Sequence, residues 1–203
     1  MNKNDLGRTF NKPDNLKDFS KVYFPYFNKL LKEIDHKSIE KFVQILLDAR
    51  KRDSNVFLIG NGGSAATASH FAQDLAFFIR DDGFRPFKAQ SLTDSVPLIS
   101  ALGNDYGYEN IFADQLRVLL RNKDVVVAIS GSGNSPNLIK AINYANENEG
   151  ITVGLVGFDG GEMKKICKHC ILVKTLKGEY ELVESIHLLL TQFIRNYLRL
   201  KFK

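Results

Sequence analysis

Two short stretches concentrate the residue types that hold an anion. One is Gly60-Asn61-Gly62-Gly63-Ser64; the other is Ser130-Gly131-Ser132-Gly133-Asn134-Ser135-Pro136. Glycine lets a backbone approach a ligand closely, and serine hydroxyls add donors of adjustable direction. Where such a loop opens a helix, the unpaired N–H groups of the first turn and the positive end of the helix dipole add to the attraction. Ser130, Ser132 and Ser135 are spaced to converge on one phosphate. Clusters of Ser, Gly and Asn also build plain turns and N-caps, but two such loops at strand ends of one sheet favour an anion site. A dinucleotide reading rests on the glycine spacing from Gly60 to Ala65. Its acidic partner, Asp94, comes late, and such a fold has no need of a second serine-rich loop.

A third cluster is Cys167-Lys168-His169-Cys170. A zinc site needs a second pair of ligands, and the chain contains 2 cysteines in all. A redox pair belongs at the start of a helix, where the thiolate is stabilised. Here the pair closes a short helical stretch and runs into the apolar strand Cys170-Ile171-Leu172-Val173, so it reads as two half-buried structural thiols.

The elements that must position these groups follow from hydrophobic periodicity. Residues 1–15 are expected to form a flexible arm, disordered or loosely docked, and 16–203 a single domain. Leu16–Ile34 and Ile39–Ala49 carry helical spacing, with Pro25 as a kink in the first. A βα alternation follows. Val56–Ile59, Phe87–Leu92, Asp124–Ile129, Ile151–Val156 and Cys170–Val173 read as buried strands. Helices are expected from the first loop to about Phe78, over Glu109–Leu120, from the second loop to about Glu147, briefly after the Gly157–Gly161 turn, and over Tyr180–Leu200. Short apolar strands alternating with helices predict an α/β fold, an open parallel five-stranded sheet covered on both faces with extra N-terminal helices. In such a sheet ligands bind beyond the carboxyl ends of the strands, where both loops fall.

Composition bounds the rest. The 203 residues are 44% hydrophobic and 25% charged, ordinary for one globular domain. No apolar run reaches the ~18 residues of a membrane span, and Met1–Leu16 lacks a secretory h-region, so the expected location is cytoplasmic with no membrane partner. The net charge of +5 comes from 28 Lys+Arg against 23 Asp+Glu. The basic residues are scattered, and the cluster Arg195, Arg199, Lys201 and Lys203 closes a helix whose dipole favours cations. No nucleic-acid partner is expected; the mild positive balance suits an anionic small molecule.

With the loops in place, the chain resembles the sedoheptulose 7-phosphate isomerases (phosphoheptose isomerases) of the SIS sugar-isomerase superfamily. The resemblance is carried by Gly60-Asn61-Gly62-Gly63-Ser64, His70-Phe71-Ala72, Gly103-Asn104-Asp105-Tyr106-Gly107, Ile129–Ser135, Gly157–Met163 and the helix from about Val183. It implies a five-stranded parallel sheet, a homotetramer with sites between subunits, and a sugar-phosphate substrate. It places Asn61, Gly62, Gly63, Ser64, Asn104 and Asp105 against the sugar, and Ser130, Gly131, Ser132 and Ser135 against the phosphate. The implied reaction interconverts a ketose and an aldose phosphate through an enediol, which needs a base at carbon and an acid at the carbonyl oxygen, and supplies heptose for surface polysaccharide.

At the reactive positions the chain departs from that pattern. The family Glu corresponds to Asp74, and the family His to Gln192, which does not titrate. An Asp and an Arg along the first-loop helix correspond to Thr67 and Phe78. The zinc-binding set corresponds to His70, Asp74, Glu184 and Gln192; with one imidazole and an amide in place of the second, a poor zinc site is expected and no cofactor is required. His70 and Asp74, four apart, share a helix face, as do Glu184, His187, Thr191 and Gln192. Asp74, Glu184 and Gln192 are therefore the catalytic candidates, with Asp74 and Glu184 as a rewired acid–base pair. The other reading is a non-catalytic phosphosugar-binding or protein-docking module.

Overall fold

The computed structural model describes residues 6–79 and 86–202. Helix α1 (Leu16–Lys32) starts where the Asn15 side chain accepts the Asp18 N–H at 3.0 Å, and it runs through Pro25. Helix α2 (His36–Arg52) starts at Asp35, whose carboxylate accepts the Lys37 N–H at 3.0 Å. Each cap satisfies a donor that the first turn would leave unpaired. Strand β1 (Asn55–Gly60) leads through the first loop into α3 (Gly63–Gln73). The helix expected to continue to about Phe78 changes character at Asp74, where Asp74–Phe78 form a π-helical turn. Then come β2 (Lys88–Ser91), α4 (Val96–Tyr106), a 3-10 turn at Tyr108–Asn110 and α5 (Ala113–Leu119). The second half is β3 (Val125–Ser130), α6 (Pro136–Glu147), β4 (Ile151–Gly157), α7 (Met163–Ile166), β5 (His169–Val173) and α8 (Tyr180–Lys201).

The five strands form one parallel sheet in the order β2-β1-β3-β4-β5. All six residues of β3 are buried, and they alternate between two cores, as period-2 geometry requires. Val125, Val127 and Ile129 join Val56, Leu58, Leu155 and the inner faces of α2, α3 and α8. Val126 and Ala128 join Phe57, Ile59, Val156 and the faces of α5 and α6. Each fully buried aliphatic side chain contributes roughly 1.5–3 kcal/mol of transfer free energy. Asp124 ties the entry ends of β1 and β3 together: its carboxylate accepts the Asn55 N–H at 2.7 Å and the Arg121 N–H at 2.9 Å.

One further stretch differs from the sequence expectation. It is Val96–Tyr106, a helix containing most of the Gly103–Gly107 motif. It has no buried residue, so no core stripe announces it, and Gly103 in its interior weakens its propensity. Pro97 in its first turn is the start signal. The expected helix over Glu109–Leu120 is correspondingly shorter. The N-terminal arm docks on the domain. Residues 1–5 lie outside the described residues, but Phe10 is buried against Phe19, Tyr23 and Tyr26, and the Thr9 hydroxyl donates to the buried Glu179 carboxylate.

Candidate functional site

Beyond the carboxyl ends of β1 and β3 lies a cavity of about 420 Å³. β1 delivers Asn61 and Ser64 to it; β3 delivers Ser130, Gly131, Ser132 and Ser135. This is where β1, with β2 on one side and β3 on the other, reverses the strand order, the position at which open α/β sheets bind ligands. The Asn61 side chain is held in an amide pair with Asn137, at 3.0 and 2.8 Å, and accepts the Tyr108 hydroxyl at 3.0 Å.

The serine loop is braced from both sides. Ser130 Oγ accepts the Gly133 N–H at 3.0 Å, and Ser132 Oγ lies 3.3 Å from the Asn134 nitrogen that donates to it. From the next strand end, the Glu162 N–H donates to Asn134 Oδ1 and the Met163 N–H to the Gly133 carbonyl, each at 2.9 Å. Ser135 caps α6 without using its side chain for the cap, which leaves its hydroxyl for a ligand. The loop is thus fixed before any anion arrives, and the helix that it opens, α6, presents its positive end to the same space.

The third wall is the first turn of α8, through Tyr180, Glu181 and Glu184. Of these, only Glu184 is expected from the sequence. Tyr180 and Glu181 carry no sequence signal for this position, because α8 meets the loops through long-range packing. Tyr180 packs edge-on against Phe158, with ring centroids 4.9 Å apart. Glu184 lies against Gly63, where any side chain would overlap its carboxylate. Partial burial pushes the Glu184 carboxyl above the usual carboxylate range, and the charge of Glu181 adds to the effect. One turn on, His187 is fully buried, and burial lowers its imidazole from 6.5 to about 4. It is a neutral core residue across the physiological range.

Asp74 and Gln192 meet elsewhere. Gln192 Nε2 donates to Asp74 Oδ2 at 2.6 Å; Arg195 Nε lies 3.5 Å from Asp74 Oδ1, and His70 Nε2 3.7 Å from Oδ2. Asp74 is buried to 3% exposure and begins the π-helical turn, a distortion that recurs at functional sites because it re-aims side chains. Arg195, part of the basic cluster at the C-terminus, is thus engaged within the fold. Glu184 and Gln192 are eight residues apart on α8, about 12 Å along the axis. Within one chain Asp74 and Glu184 stand at opposite ends of the α3–α8 contact.

The implied zinc set divides in the same way. His70, Asp74 and Gln192 are together, Glu184 is apart, and Gln192 turns its amide nitrogen, a hydrogen-bond donor, toward Asp74. Among the described residues no group of three His, Cys, Asp or Glu side chains converges. Within one chain the Gln192 amide N–H already occupies Asp74, a contact that competes with a zinc ion for that carboxylate. Asn104 and Asp105 sit at the exposed end of α4, hydrogen-bonded to each other at 2.7 Å. They do not line this cavity; their neighbour Tyr108 makes the contact to Asn61.

The chain is similar to known proteins in sequence and in fold. The SIS domain family matches residues 22–157. Phosphoheptose isomerase 1 of Campylobacter jejuni is 35% identical over 158 residues, 78% of this chain and 83% of that protein. Phosphoheptose isomerase of Helicobacter pylori is 31% identical over 183 residues, 89% and 93% of the two chains. The structure of phosphoheptose isomerase GmhA from Neisseria gonorrhoeae superposes with a TM-score of 0.82 at 29% identity, covering 91% of this chain and 98% of that one. The paired loops at the strand reversal, the sheet order and the extent of these matches agree: the chain belongs to the SIS domain family.

Proposed function

We propose that this chain is an aldose–ketose isomerase that converts sedoheptulose 7-phosphate to a heptose 7-phosphate through an enediol, in the cytoplasm, for surface polysaccharide. The observation that carries the reading is the cavity in which Ser130, Ser132, Ser135 and Glu184 face one space. The similarity to phosphoheptose isomerases over most of the chain supports it. The serine loop and the α6 N-terminus hold the phosphate. The reaction moves one proton between adjacent carbons and another between their oxygens. Glu184, with its raised pKa, donates to the carbonyl oxygen, and Asp74 is the base at carbon. The chemistry is assigned to these side chains without a metal.

Because the two carboxylates stand apart within one chain, we read the reactive site as shared between protomers of a homotetramer. Exposed Phe77 and Phe78 flank Asp74, and Phe193, Tyr197 and Leu200 are exposed along α8, apolar surface that suits such contacts. Incubation with sedoheptulose 7-phosphate, followed by NMR, is expected to show aldose formation. Asp74→Asn and Glu184→Gln are each expected to abolish turnover while sparing phosphate affinity, since the loss falls on the transition state. Mixing the two inactive variants is expected to recover activity; no recovery would place both groups in one chain.

A second reading is favoured by one observation: Gln192, which stands where the family resemblance implies a His, is committed to Asp74. Binding of the sugar phosphate without conversion, with activity switched on by Gln192→His, would make the chain a phosphosugar-binding module.

A further inference from the structure

The proposed reaction leaves Cys167 and Cys170 unused. Cys167 ends α7 and Cys170 is the second residue of β5, yet both sulfurs turn to one point over β4. A methyl group on Gly154 would lie 3.0 Å from Cys170 Sγ and 3.2 Å from Cys167 Sγ. Gly154 is paired with Cys170 across the β4–β5 ladder, so glycine at that position is what leaves room for the two thiols. Cys170 Sγ also lies 3.7 Å from the Met163 carbonyl oxygen. Both are half-buried rather than sealed in the core. His169, between them, faces the other side of the sheet with Nε2 2.7 Å from the Ser38 carbonyl. The two thiols are half-buried, as expected from the sequence, and their sulfurs share one space over Gly154.

We propose that Cys167 and Cys170 are a reversible dithiol–disulfide site that exchanges with low-molecular-weight disulfides. The two sulfurs are not equivalent. The neighbouring Cys167 thiol lowers the Cys170 thiol below its ordinary value, helped by the Gly154 backbone N–H and the charge of Lys164. The Cys170 thiol, with burial, pushes Cys167 up. Thiolate character decides which sulfur attacks. Cys170 therefore attacks one sulfur of a disulfide RSSR, forming Cys170–S–SR and releasing one thiolate, RS⁻. Cys167 then gives up its proton and attacks Cys170 Sγ, forming the Cys167–Cys170 bond and expelling the second RS⁻. The two thiols are oxidised to one disulfide, and RSSR is reduced to two RSH. The pair closes the far end of α7, the helix whose near end, through Glu162 and Met163, braces the serine loop.

The test is mass spectrometry of the native protein after incubation with oxidised glutathione in mildly alkaline buffer. The wild type is expected to become lighter by two hydrogens, to retain no glutathione, and to be restored by dithiothreitol. Cys167→Ser, lacking the second attack, is expected to retain one glutathione on Cys170. Cys170→Ser is expected to react at least about tenfold more slowly. A wild type that stays unmodified until unfolded in guanidinium, or that keeps glutathione without forming the internal bond, would overturn the site. So would equal reactivity of the two serine variants.

Discussion

At the residue scale, the proposed function assigns phosphate recognition most directly to the serine hydroxyls that line the cavity. Ser132→Ala combined with Ser135→Ala is expected to weaken sugar-phosphate binding by a few kcal/mol, because each charge-assisted hydrogen bond to phosphate contributes roughly 1.5–3 kcal/mol. Calorimetry showing unchanged affinity would remove the loop from the site. His187 makes a prediction about stability instead. Its folded value, about 4, lies below the unfolded 6.5, so between those values the unfolded chain binds the extra proton. Stability is full above pH 6.5 and declines as pH falls toward 4, by on the order of 3 kcal/mol from this residue. Denaturant titrations from pH 7 to 4 are expected to show a smaller decline in His187→Leu than in the wild type. An equal decline would assign the acid sensitivity to other groups.

At the element scale, the serine loop depends on a backbone that the following strand end holds in place. Gly133 has φ +65°, and a side chain there would overlap the Gly160 carbonyl. Gly133→Ala is expected to destabilise the fold by about 1–2 kcal/mol from the left-handed conformation alone, and by more from the overlap. The loop would move off the Glu162 and Met163 N–H groups that brace it, so phosphate affinity should fall with stability. A variant that melts at the wild-type temperature and binds phosphate normally would contradict this account. The π-helical turn at Asp74 is the matching feature on α3, and it brings Asp74 to Gln192 and Arg195 of α8.

At the scale of the whole molecule, α8 is apolar on two sides. Leu182, Val183, Ile186, Leu190, Ile194 and Leu198 enter the core, while Leu189, Phe193, Tyr197 and Leu200 are exposed by 42–69%. A groove between α2 and α8, lined by Val43, Leu47, Phe193 and Tyr197, continues that surface. Exposed apolar side chains gathered along one helix face suit a subunit contact. Light scattering at micromolar concentration is expected to give a tetramer. A monomer would contradict both the assembly and the shared reactive site, whereas Phe193→Glu with Tyr197→Glu is expected to dissociate the tetramer and abolish turnover together.

The strands, the two glycine-serine loops and the long last helix were legible in the sequence because each follows from local rules: apolar runs of strand length, turn residues at strand ends and a 3.6-residue stripe. Ser130, Ser132, Ser135 and Asn61 were legible for the same reason, since a loop at a strand's carboxyl end in a parallel sheet has one place to be. Tyr180 and Glu181 were not, because what makes them cavity walls is the docking of α8 across the sheet, more than a hundred residues from the first loop. The same docking decided that Asp74 meets Gln192 and Arg195 rather than Glu184, and the register of β4 on β5 decided that Cys167 and Cys170 share one space over Gly154. Sequence spacing places residues on a face of their own element; which faces meet depends on how those elements pack.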